Sequence, residues 1–61
     1  MTFVVEIEGP DGSKAVKEYY ATSTYELVYV VAYDLRDYPD FQVTTAWHKE
    51  EPARRVHIGT N

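Results

Sequence analysis

The stretch STYELVYVVAYDLRDY, Ser23–Tyr38, decides the fold: it alone has helical periodicity, and it separates two segments that alternate like strands. Ser23-Thr24-Tyr25-Glu26 forms a capping box, with the Ser23 hydroxyl accepting from the Glu26 amide and the Glu26 carboxylate reaching back to the Ser23 amide. At about 100° per residue, Thr24, Leu27, Val28, Val31, Leu35 and Tyr38 share one side, the i, i+4, i+8 spacing of a buried stripe. Pro39 is expected to end the helix after Tyr38, since it cannot donate the next bond and pushes the residue before it out of helical geometry. Asp37 to Asp40 is then a turn.

Thr2 to Glu8, before the helix, alternates with Phe3, Val5 and Ile7 on one face and Val4, Glu6 and Glu8 on the other. Gly9-Pro10-Asp11-Gly12 reads as a hairpin turn, with Pro10 presetting its own dihedral and Gly12 free to take positive φ. Pairing Gly9 with Ser13 sets Glu8 opposite Lys14, Ile7 opposite Ala15, Val5 opposite Lys17 and Phe3 opposite Tyr19. Ala15, Tyr19 and Ala21 then join the helix side. Lys17 also points inward, a device that blunts a sheet edge while its stem packs.

After the helix, Phe41 to Lys49 alternates with Phe41, Val43, Thr45 and Trp47 on the helix side and Gln42, Thr44, Ala46 and His48 opposite. Glu50-Glu51-Pro52-Ala53 reads as a polar turn. Arg54 to Ile58 reads as a fourth strand, with Lys49 opposite Arg54 and with Val56 and Ile58 on the face of Trp47. Residues 59–61 are expected to fray. The fold class is therefore α+β: a single two-layer domain over residues 1–61, ββαββ, with a four-stranded antiparallel sheet of order 2-1-3-4 and one helix on one face. The first strand, being the most apolar, is placed centrally.

The chain has 61 residues, no cysteine and a formal charge of −4. The missing thiols favour a cytoplasmic setting over a disulfide-stapled secreted scaffold. No apolar run approaches the ~20 residues a membrane span needs, and Met1 leads directly into a strand pattern, so the chain is read as untargeted, with no membrane partner. The acidic balance opposes nucleic-acid binding, which draws on phosphate neutralisation.

No catalytic constellation is visible. Ser13 and Ser23 belong to a turn and a cap, and no glycine motif cradles phosphate, so no enzyme activity and no cofactor are expected. His48 and His57 would sit diagonally on the open sheet face, with only Glu6 or Glu8 to join them, too few ligands for a zinc site. Lys49, Arg54 and Arg55 make the second hairpin basic while Glu6, Glu8, Asp11 and Glu18 make the first acidic, and Tyr20 is the only stacking aromatic on that face, below the two or three of RNA-binding sheets.

The outer side of the helix is where function is expected. Tyr29, Val30 and Tyr33 fall where charges would be ordinary, joined by Glu26, Asp34 and Asp37. Asp34, Asp37 and Asp40 also crowd the helix C-terminus, where the macrodipole disfavours anions. These residues suggest a small acidic protein-interaction module, an inhibitor or modulator of a larger protein with a basic or mixed surface. In a sharper form, the carboxylates stand in for DNA phosphates. A nucleic-acid-associated domain using the open sheet, and a structural homodimer, are the alternatives.

Overall fold

A computed structural model describes residues 1–58. The elements are β1 (Thr2–Glu8), β2 (Lys14–Tyr20), α1 (Thr24–Asp34), β3 (Gln42–His48) and β4 (Glu51–Arg55), in an antiparallel sheet of order β2-β1-β3-β4 with the helix across one face. The expected fold class and strand order are those observed. The expected fraying of residues 59–61 lies outside the described residues. No helix among the described residues is long and apolar enough to cross a membrane.

The first hairpin has the register its turn chemistry implies, from Glu8 opposite Lys14 to Phe3 opposite Tyr19. The Gly9 amide donates to the Ser13 carbonyl at 2.8 Å, and Gly12 closes the turn at φ 85°. The Asp11 carboxylate accepts from both the amide and the hydroxyl of Ser13, which holds its carboxyl below the usual range.

The core comprises Phe3, Val5 and Ile7 of β1, Tyr19 and Ala21, Leu27 and Val31 of the helix, Ala46 of β3, and Ile58. Leu27 and Val31 are the buried spine, with Val28, Val30 and Leu35 partly buried beside them. Thr24, Tyr38 and Ala15, expected on this side, are exposed. The helix ends at Asp34, about one turn before the expected Tyr38. Side chains supply the reason: Asp34 turns toward β2, and the Arg36 guanidinium donates to the Tyr33 carbonyl at 2.7 Å, satisfying a helix-end acceptor.

The third strand departs from simple alternation. Ile7 pairs with Val43 while Glu6, one step back, pairs with Thr45, so Thr44 is an extra residue, a β-bulge. Its hydroxyl donates to the Glu6 carboxylate at 2.8 Å. A bulge inverts the faces of every residue that follows it. Ala46, expected outside, is therefore buried beneath the helix, and His48 lies against Phe3 with ring centroids 4.7 Å apart. Trp47, expected to pack on the helix, instead lies on the open face opposite Val4 and Arg55, with the Arg55 guanidinium 5.2 Å from its ring centre. Thr45 is on the open face too, where it accepts from Arg55 at 3.4 Å. The size mismatch accounts for the choice: space between β1 and the helix already filled by Phe3, Val5 and Leu27 takes a methyl group but not an indole.

The fourth strand is also displaced. His48 pairs with Glu51 across the turn at Lys49 and Glu50, and Trp47 pairs with Arg55, so the expected pairing of Lys49 with Arg54 does not form. Pro52-Ala53-Arg54 bulges out between these pairs, consistent with a proline that has no amide to give the ladder. The chain returns at Val56, whose amide donates to the Ala46 carbonyl at 2.9 Å, and Val56 and Ile58 pack inward as expected, though beside Ala46 rather than Trp47.

Candidate interaction surface

The helix is positioned at both ends by polar contacts. At the start, the Ser23 hydroxyl accepts from the Glu26 amide at 3.1 Å. The Glu26 carboxylate reaches one residue further than expected, accepting from the Thr22 amide at 2.7 Å rather than from Ser23. At the far end, the Asp34 carboxylate accepts from the Lys17 ammonium at 2.5 Å and the Tyr19 hydroxyl at 2.7 Å. Lys17 thus ends on an acid rather than in open water, and the two β2 side chains explain an aspartate at the unfavourable end of the dipole.

These donors hold the Asp34 carboxyl below its usual range, Lys17 first and Tyr19 next. Burial, then the bond to Asp34, pushes the Tyr19 phenol well up, so it stays a donor. A carboxyl lowered on folding stabilises the protein above its unfolded pKa, about 3.9, and loses that contribution as pH falls through the lower folded value. Asp34→Asn is therefore expected to lower the melting temperature at neutral pH and to give a shallower decline than the native chain below about pH 4. Parallel melting curves across that range would show the clip to be energetically idle.

With the helix so clamped, Tyr25, Tyr29 and Tyr33 point outward in a ladder at i, i+4, i+8, exposed by 72%, 60% and 68%. The Tyr25 and Tyr29 hydroxyls are 3.1 Å apart and their rings meet edge to face at 5.3 Å. That bond, more than desolvation, raises the Tyr29 phenol. The Arg36 guanidinium stacks 4.0 Å over the Tyr33 ring. Tyr25 was not among the expected surface residues, although its spacing from Tyr29 and Tyr33 marks it.

No family model, curated protein or solved structure matches the chain.

Of the six residues expected on the outer face, Tyr29 and Tyr33 stand on it fully. Glu26 is exposed beside them, with its carboxylate engaged in the cap. Asp37 is exposed in the following turn, and among the described residues neither it nor Asp40 has an ion-pair partner. Val30 is not on the outer face: it is partly buried against the core. Asp34 faces β2.

The open sheet face also differs from expectation. His48 lies on the helix side, whereas His57 is exposed between the inward-packing Val56 and Ile58, so the two imidazoles do not converge. Among the described residues, no group of three or more His, Cys, Asp or Glu could hold a metal ion. Lys49 pairs with Glu18 at 3.0 Å and Arg54 with Glu51 at 3.5 Å, so part of the basic hairpin is neutralised within the chain.

Proposed function

We propose that the protein is a small acidic interaction module, an inhibitor or modulator that engages a larger protein through the outer face of its helix and the acidic turn behind it. The carrying observation is the exposed tyrosine ladder. Three rings on a surface helix leave apolar area in water, with the Tyr25 and Tyr29 hydroxyls bonded to each other. Such rings serve as rigid anchors that bury deeply on docking at low conformational cost. The carboxylates of Asp37 and Asp40, with the net charge of −4, favour a basic partner surface, including one that otherwise holds DNA phosphates.

The double variant Tyr29→Lys, Tyr33→Lys is expected to keep the native circular dichroism spectrum and melting temperature while losing partner capture. A folded variant that still captures the partner removes the tyrosine ladder from consideration.

One observation favours a second reading. With Trp47 on the open face, that surface carries two aromatics, Tyr20 and Trp47, with Arg55 above the indole. Aromatic rings flanked by cations suit stacking on single-stranded nucleic acid. Quenching of Trp47 fluorescence by a single-stranded oligonucleotide, relieved by salt, would support this reading over the first.

A further inference from the structure

The helix approaches β2 more closely than any other strand, and the Asp34 clip holds its C-terminal end there. The inner face of the sheet on the β3 side is left incompletely covered. A groove of about 490 Å³ opens there, lined by Val28 and Val31 of the helix, Leu35 at its C-cap, Phe41 and Val43 across from them, and Ile58. Four of these six, Val28, Leu35, Phe41 and Val43, are only partly buried. Tyr38 and Pro39 close one end, with Tyr38 edge-on to Phe41 at 5.8 Å, and Asp37 and Asp40 flank these closing residues in the chain. Ala32, also lining the groove, is exposed and lies one helical turn from both Tyr29 and Val28, so the ladder and the groove form one surface.

Charge says what kind of segment fits. Both aspartates are exposed and without an ion-pair partner among the described residues, while the nearby cations Lys17 and Arg36 are engaged by Asp34 and the Tyr33 carbonyl. A second copy suits the groove poorly: both chains carry −4, and a two-fold interface sets the same acidic-rimmed patch against itself. We infer that the groove and the acidic turn form the docking site for an amphipathic basic segment of the partner, its apolar side chains entering the groove and its Arg or Lys side chains reaching Asp37 and Asp40. This rests on the protein-interaction reading and adds where the partner's anchor goes and what its chemistry is.

The test is selection of a random linear-peptide phage library on the immobilised full chain, followed by nuclear magnetic resonance mapping of the selected peptides on the native protein. Peptides that pair apolar residues with Arg or Lys are expected, with shifts centred on Val28, Ala32, Leu35 and Val43 and with affinity that falls as salt rises. Ala32→Arg, an exposed helix position changed to a good helix former, is expected to weaken them by about tenfold or more through bulk and like charge. Asp37→Asn with Asp40→Asn is expected to cost about two- to fivefold, the scale of exposed ion pairs.

Selection of no peptide, of acidic or purely apolar peptides, or of peptides that map to the open sheet or ignore Ala32→Arg overturns the inference. So does a concentration-dependent dimer in sedimentation that Ala32→Arg abolishes, which would make the occupant a second copy. The two readings fail separately. Basic peptides in the groove with partner capture intact in the tyrosine double variant remove the ladder alone. Loss of capture in that variant while selected peptides avoid the groove removes the groove alone.

Discussion

Leu27→Ala is expected to lower the free energy of unfolding by about 2–5 kcal/mol, the range for emptying a fully buried leucine site. Leu27 is 0% exposed, on the helix turn that packs against Phe3 and Val5. The consequence is severe because a domain of this length has only roughly 3–9 kcal/mol in total, at ~0.05–0.15 per residue. The helix has little intrinsic strength to fall back on, since Val28, Val30 and Val31 each cost up to about 0.7 kcal/mol against alanine. Urea unfolding is expected to show a midpoint well below that of the native chain. Val31→Ala, removing less volume, should shift the midpoint in the same direction by less. An unchanged midpoint in both variants would mean that another face of the helix meets the sheet.

Ala46→Asp is expected to cost about 3–5 kcal/mol, the scale of a buried charge left without a partner, and so to lower the melting temperature sharply at neutral pH. Ala46 is 1% exposed beneath the helix, among the apolar side chains of the core. Trp47→Gln, one residue on, is expected to leave a folded chain, because Trp47 is on the open face and partly solvated. Deleting Thr44 should also be tolerated: with the extra residue gone, Thr45 still meets Glu6 and Ala46 still meets Val5 in regular pairing. Melting temperatures of the three variants decide the matter. A stable Ala46→Asp beside an unfolded Trp47→Gln would restore the plain alternation in which the tryptophan faces the helix.

The surface residues divide along the same line as the core. Tyr29 and Tyr33 were legible as outward-facing because the capping box fixes where the helix begins, and helical spacing does the rest. Asp34 was not, because its partners Lys17 and Tyr19 are seventeen and fifteen residues earlier and come near only when β2 lies under the helix. Val30 was misplaced for a related reason: Asp34, one turn on, is drawn to β2, and this rim of the helix partly buries with it.

What the sequence by itself determined is what adjacent residues encode. The order of elements, the Ser23 cap, the Gly9–Ser13 hairpin and the complete β1–β2 register all follow from turn chemistry, capping and period-two alternation, which act within a few residues. What only the tertiary structure decided is the face of everything after Thr44, the early end of the helix at Asp34, the displaced pairing of β4 and the groove along β3. A single inserted residue reverses a strand's faces, and both readings of Thr44-Thr45-Ala46-Trp47 satisfy local alternation equally well. The choice between them turns on whether a methyl group or an indole fits against Phe3, Val5 and Leu27, a question of volume that arises only when distant segments meet.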